Sequence, residues 1–266
     1  MSSRAVTWKA RAVSQRTLIA VACLVLTAAA AYAAQTATFR VHAPGSSPAT
    51  VSKIHADLVR VERRIERALG EFPGDVDVWV HPSRAAFSDA LEQAWGIPET
   101  ACWMVGAADD TTLHLLSPDV WTGEACEHDP DDAEHVRRII AHEAVHAYHG
   151  QLNPSEDVGL LEEIGWFTEG LATYASGQLG ARHAGRAAVA VREGRAPDRL
   201  ADAWSGPDRY GVAGSMVAFI HDAWGRETLR GLLIATSQTE LLDELGMSEP
   251  EFLARWKDWA LGDSAS

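Results

Sequence analysis

Two histidines four residues apart, His142 and His146, restrict the conformation of this chain more than any other feature of the sequence. Residues i and i+4 of a helix share one face, so both imidazoles reach one ion readily if this stretch is helical. The preceding apolar residues repeat at the spacing of a buried helical face: Val136, Ile139 and Ile140. Asp131 or Asp132 can cap such a helix, and Gly150 can end it. The sequence therefore predicts a helix up to Gly150.

This helix carries the residue types of a catalytic zinc site. Neutral imidazole is a good zinc ligand, and zinc lowers the pKa of a bound water molecule towards neutrality. Glu143 follows the first histidine and is placed to accept a proton from that water and to deliver it to a leaving amine. We therefore predict that His142 and His146 bind one Zn²⁺ ion and that Glu143 is the general base. The alternative is a helix with two solvated histidines and no metal.

A catalytic zinc ion needs a third protein ligand and an open position. The candidates downstream are Glu162, Glu163 and Glu169. Glu169 lies in an otherwise apolar helical pattern, where a carboxylate is costly unless it binds something. Glu162 and Glu163 lie near a predicted helix start, where the helix dipole favours acids without any metal. Glu169 is therefore the predicted third ligand.

The two segments together resemble a known family. With H-E-A-V-H at 142–146 and W-F-T-E-G-L-A-T-Y at 166–174, the chain is similar to the gluzincin metallopeptidases, and more closely to the small peptidase-MA-like domains. The resemblance extends over nearly all of the chain beyond its N-terminal segment. It implies a thermolysin-like architecture and zinc-dependent hydrolysis of peptide bonds, with His142, His146 and Glu169 as ligands and Glu143 as base.

The resemblance also implies two features of substrate handling. Tyr210 lies where related enzymes often have a tyrosine that stabilises the developing oxyanion, although a core tyrosine is the alternative. The hairpin edge at 105–107 matches the strand along which such peptidases hold an extended peptide by main-chain hydrogen bonds.

The sequence departs from the family pattern in three places. The gap between His146 and Glu169 is longer than in aminopeptidase-like relatives, and no G-x-M-E-N-type segment for a substrate amino terminus is present. Thr173 stands where thermolysin-like enzymes place an acid that orients a metal ligand. We therefore leave the choice between endopeptidase and exopeptidase open, and expect the support of the ligands to come from elsewhere.

Periodicity predicts an α+β fold, with a small mixed sheet and helices in the N-terminal half and a helical C-terminal lobe. The metallopeptidase domain is predicted at 38–262, with an α/β lobe to about 150, a helical lobe from 151 to 262 and the active-site helix at their junction. Alternating patterns predict strands at Thr38–His42, Val76–Val80, Cys102–Val105 and Thr111–Leu116. Besides the metal helix, helices are predicted at Val51–Leu69, Ser83–Trp95, Glu163–Leu179, Val212–Trp224, Glu227–Thr236 and Pro250–Leu261.

The first 33 residues have the pattern of a secretory signal. An acid-free basic segment precedes an apolar run from Leu18 to Ala31, and Ala31-Tyr32-Ala33 has the small-x-small form of a cleavage site. The alternative is an uncleaved membrane anchor, because the run approaches spanning length. We therefore expect a secreted or extracytoplasmic protein, with membrane contact only if the segment is retained.

Charge and cysteine content limit the partners and the compartment. The formal net charge of −14 disfavours binding to nucleic acid and to anionic lipid. Beyond the signal two cysteines remain, Cys102 and Cys126, and an even pair in an oxidising compartment predicts a disulfide rather than two free thiols. The expected partner is a peptide or protein substrate. Two other functions stay open: a non-catalytic binding domain on a peptidase-like fold, and a zinc hydrolase of a non-peptide amide such as a cell-wall fragment.

Overall fold

The computed structural model describes residues 39–155, 158–183 and 185–262. The segment for which a secretory signal or anchor is predicted lies outside the described residues. Within the described ranges, no helix has both the length and the apolar character needed to cross a membrane.

A four-stranded mixed sheet forms one side of the fold. Its strands are β1 (Phe39–His42), β2 (Val76–His81), β3 (Gly106–Ala108) and β4 (Thr112–Leu116), arranged in the order β1-β2-β4-β3. The pairs β1–β2 and β2–β4 are parallel, whereas β3 pairs antiparallel with β4 and lies at an edge. Alternate residues of β2 are buried in the core, which explains the period of two in its sequence.

Helices make up most of the remaining described residues. They are α1 (Pro48–Leu69), α2 (Arg84–Trp95), α3 (Trp121–Glu124), α4 (Ala133–Leu152), α5 (Gly165–Ala175), α6 (Gln178–Arg182), α7 (Arg186–Arg192), α8 (Arg209–Gly231), α9 (Gln238–Leu245) and α10 (Glu249–Leu261). Short 3-10 turns occupy Pro118–Val120, Val158–Leu160, Glu162–Ile164, Leu200–Asp202 and Leu232–Ile234. The predicted α+β class is confirmed, while the boundary between two lobes near residue 150 stays a prediction.

Helix α4 is the centre of the packing. It contacts α1, α5, β3 and β4, and α5 packs in turn along α8. The predicted apolar stripe of α1 is buried against this assembly: Ile54, Leu58, Val61, Ile65 and Leu69. Because α4 is covered on several sides by sheet and helices, the side chains that it carries are held in a defined environment.

The predicted strand at Cys102–Val105 is wrong, and the strand begins at Gly106 instead. Cys102 is bonded to Cys126, as predicted, with the two Cα atoms 5.3 Å apart. The Arg84 guanidinium donates to the carbonyl oxygens of Cys102 and Met104, so this segment is held as a turn and loop. The hairpin bends at Asp109, whose carboxylate accepts from two following backbone amides.

One predicted helix is also interrupted, and another ends early. The helix expected at Glu163–Leu179 begins as a 3-10 turn, ends at Ala175 and restarts at Gln178, because Gly177 adopts a left-handed conformation with φ of 81°. The helix expected at Val212–Trp224 lies within α8, which is interrupted at Gly225 with φ of 85°. Only the first part of the helix expected at Glu227–Thr236 lies within α8, because α8 stops at Gly231 and a 3-10 turn follows. Helices α7 and α9 were not predicted from the sequence.

Candidate metal centre

The start of the metal helix is set by its capping residue. The Asp132 carboxylate accepts from the backbone amides of Glu134 and His135, both at 3.0 Å, and satisfies donors that the first turn leaves unpaired. Of the two predicted caps, Asp132 is therefore the one used. The helix continues to Leu152, two residues beyond the predicted end.

Helices α4 and α5 bring three ligand groups together. His142, His146 and Glu169 each offer one atom to a group whose members lie within 4.8 Å of one another. The Nε2 of His142 is 3.3 Å from one Glu169 carboxylate oxygen, and the Nε2 of His146 is 3.8 Å from the other. Glu162 and Glu163 are exposed and are not part of this group. These three residues could hold a metal ion, and two imidazoles with one carboxylate match the ligand preference of zinc.

The second nitrogen of His142 has a buried partner. Its Nδ1 lies 3.0 Å from the side-chain oxygen of Gln178, the first residue of α6. Both side chains are almost fully buried. This contact leaves Nε2 directed at the Glu169 carboxylate. Gln178 was not predicted as part of the site, because the sequence pattern places it inside a continuous helix.

Burial and mutual contact set the charge states of the ligands. Burial lowers the pKa of His146 to about 4, which keeps it in the neutral, metal-binding form at pH 7. Burial also opposes charge on His142 and Glu169, yet their contact raises the pKa of His142 and lowers that of Glu169. The site therefore supplies one charged carboxylate from Glu169, one neutral imidazole from His146, and a second imidazole, His142, that contacts the carboxylate.

Glu143 faces the edge of the sheet. Removal from water raises its pKa to about 7; His142 opposes this rise and Glu169 adds to it. A Cβ atom built at Gly106 would lie 2.5 Å from the Glu143 Cγ, so β3 approaches this side chain at a distance that only glycine allows. A carboxyl with a pKa near neutrality can both accept and return a proton.

The hydroxyl-bearing ring of Tyr210 lies beside the ligands. It is 6.2 Å from the His142 ring between centroids, it stacks on His183 at 5.3 Å, and Trp204 meets it edge-on at 4.7 Å. Burial raises the pKa of Tyr210, with Glu169 adding to the effect, so the phenol stays protonated at neutral pH. The structure thus brings Tyr210 near the predicted site.

Comparison with protein-family models finds no match, and neither does comparison with curated proteins. The function of this chain must therefore be argued from the geometry of the site itself.

Proposed function

We propose that this protein is an exported zinc metallopeptidase of the gluzincin type. The observation that supports this most directly is the convergence of His142, His146 and Glu169 with Glu143 one residue from the first ligand. A thermolysin-like arrangement of sheet edge, metal helix and glutamate helix is part of the same proposal. So are export by the N-terminal segment and the peptidase-MA-like family.

The first chemical step falls to Glu143. When bound, a zinc ion would polarise a water molecule and lower its pKa. Glu143 accepts a proton from the attacking water molecule and returns it to the leaving amine as the peptide C–N bond breaks. His146 stays neutral and serves as ligand, so it does not compete for this proton.

Tyr210 and the edge strand β3 are assigned to the substrate. The protonated Tyr210 hydroxyl donates to the oxyanion that develops on the carbonyl oxygen. An extended peptide pairs with the free edge of β3, whose small residues leave room for the peptide backbone. Gly106 of this strand also approaches Glu143, so a peptide paired with β3 would lie near the base.

The decisive variant is Glu143→Gln, which keeps the shape of the side chain and cannot accept a proton at neutral pH. It should bind one zinc ion per chain, while its turnover of casein or a peptide library falls by about a hundred- to ten-thousandfold. Glu163→Gln, the same change at an exposed position, is the matched control and should cleave at the wild-type rate.

Two outcomes would decide against this function. A wild-type protein without metal, or a Glu143→Gln variant as fast as wild type, would favour a non-catalytic binding domain. Zinc-dependent turnover of cell-wall amides but not of peptides would keep the chemistry and change the substrate.

A further inference from the structure

We propose that Gln178 is the positioning residue that fixes His142 for metal binding; this rests on the proposed function. A ligating histidine is oriented by what its second nitrogen meets, usually a carboxylate or a backbone carbonyl. Thr173, at the position where thermolysin-like enzymes carry an acid, has a buried hydroxyl without a hydrogen-bond partner among the described residues. The neutral amide of Gln178, which lies on the next helix, orients His142 instead.

The hydrogen bond selects one tautomer of His142. The amide oxygen of Gln178 carries no proton and can only accept, so the proton of the bond must be on Nδ1 of a neutral His142. A neutral imidazole with its proton on Nδ1 has its lone pair on Nε2. That is the atom that lies 3.3 Å from Glu169 and belongs to the metal group.

A contact from α1 holds Gln178 in place. The Arg64 guanidinium donates to the carbonyl oxygen of Ser176 at 3.0 Å. It also occupies the space beside Gly177, where a Cβ atom would lie 1.7 Å from the guanidinium nitrogen. Gly177 is therefore both left-handed and packed against Arg64, and this break between α5 and α6 turns Gln178 towards His142.

The test measures zinc affinity and the Nδ1 hydrogen bond of His142, so it does not require activity. Gln178→Leu keeps much of the volume and removes the acceptor; its zinc dissociation constant should rise about 10- to 100-fold in a chelator competition. Gln178→Glu restores an acceptor and should restore the affinity. In the zinc-loaded protein, proton NMR should show the Nδ1 proton of His142 as a hydrogen-bonded, slowly exchanging signal in wild type and as a faster-exchanging one in Gln178→Leu.

The controls separate positioning from general packing. Thr173→Val removes a buried hydroxyl one turn past Glu169, and both measurements should stay at wild-type values. Gln178→Met is a second variant without an acceptor and decides the matter if Gln178→Leu does not fold. Wild-type zinc affinity and an unchanged Nδ1 proton signal in the folded variant would overturn this role and leave the proposed function intact. A wild-type protein that binds no zinc would overturn both.

A separate observation concerns the substrate. The Arg209 guanidinium carbon lies over the Tyr210 ring at 5.0 Å and over the Trp204 ring at 5.5 Å. Across the described residues, no carboxylate lies within ion-pair distance of Arg209. The neighbouring Asp208 is paired with Arg186 and Arg195 instead.

From this placement we infer that Arg209 binds a carboxylate of the peptide substrate next to the scissile bond, again on the basis of the proposed function. Arg209 packs on the rings of Trp204 and Tyr210, and the Tyr210 ring lies beside the metal ligands. The adjacent Asp208 is already paired with two other arginines. A substrate carboxylate beside the metal ligands would therefore meet this cation. The preferred substrates are peptides with an acidic residue or a free carboxyl terminus at this position.

Matched peptides that differ only as acid and amide test this assignment. Wild type should cleave the acid form with a kcat/KM about ten- to a hundredfold higher, which is the range of a hydrogen bond to a charged group. In Arg209→Met the ratio should fall towards one, whereas Arg192→Met, which removes an exposed arginine of α7, should keep it. Equal loss on both peptides would mean that Arg209 only supports Tyr210, and would overturn the assignment. Absence of any peptide cleavage would overturn the proposed function instead.

Discussion

Two histidine pairs among the described residues differ in what their ring nitrogens meet. His81 on β2 and His114 on β4 bond to each other, Nε2 to Nδ1 at 2.9 Å, and their rings stack at 5.1 Å. His142 and His146 on α4 meet edge-on at 4.9 Å without such a bond, and their Nε2 atoms both approach Glu169. The first pair lies under α2, and the second lies between α4, α5 and α8.

Burial and proximity alone therefore do not make a metal site. In the sheet pair the bond occupies one nitrogen of each ring, and no carboxylate joins the pair in a metal group of the described residues. In the helical pair the buried Gln178 amide bonds to Nδ1 of His142, and the Glu169 carboxylate faces the Nε2 atoms of both histidines. What distinguishes the two regions is convergence of free lone pairs on one point.

The largest expected effect is that replacing a histidine abolishes metal binding when the histidine belongs to the helical pair and not when it belongs to the sheet pair. His146→Ala should weaken zinc binding by more than the roughly hundredfold upper range for residues outside the ligand set, and should abolish peptide cleavage. His114→Ala should bind zinc like wild type while losing stability. Zinc titration of both variants measures this difference. Equal zinc affinity in the two variants would remove the distinction between the pairs.

The second expected effect concerns the close approach of β3 to α4. Gly106→Ala places a methyl group 2.5 Å from the Glu143 Cγ, so the base or the strand must move. A displacement of about 1 Å at a catalytic group costs on the order of a hundredfold in turnover. Gly123→Ala adds a methyl group with no atom within 4 Å and is the control. Steady-state kinetics and thermal melting of both variants separate lost activity from lost stability.

The sheet pair should make stability depend on pH. Burial, with a smaller effect of His114, lowers the pKa of His81 from its ordinary value of 6.5 to about 4. Between these pH values the unfolded chain binds a proton that the folded chain does not, so the free energy of unfolding falls as the pH drops. The contribution is fully present above pH 6.5, is lost towards pH 4, and is on the order of 2–3 kcal/mol.

Urea unfolding of chelator-treated protein at pH 7 and pH 4.5 measures this contribution. His81→Gln can keep a hydrogen bond to His114 and does not titrate, so the pH dependence should become weaker. His55→Gln changes an exposed histidine and should leave it as in wild type. An equal dependence in all three proteins would assign the effect to other groups.

Most of the candidate metal site could be predicted because its signals are local. The cap at Asp132 and the apolar repeat that leads to His142 lie in one continuous segment. Glu169 was separable from Glu162 and Glu163 because a carboxylate among apolar helical residues needs a partner. Each of these arguments uses residues within a few turns of one another.

The remaining features depend on contacts between distant segments. Gly177 looks like a tolerated glycine within a helical pattern, and only Arg64, more than a hundred residues earlier, shows why the helix breaks there. Gly106-Ala107-Ala108 has low strand propensity, whereas the preceding Cys102–Val105 has the apolar residues of a strand. The disulfide and Arg84 hold that segment as a loop, so pairing with β4 starts later. Gln178 and the Gly106–Glu143 contact were missed for the same reason.

The short edge strand also has a consequence for self-association. An exposed strand edge is a template on which identical chains can stack, and proteins often limit this risk by keeping edge strands short. β3 has only three residues, and the adjoining loop is tied down by the disulfide. Such a short edge offers too few backbone hydrogen bonds for copies of the sheet to stack into fibrils, yet it is long enough to pair with one extended peptide. The protein can therefore leave this edge open without a strong tendency to aggregate through it.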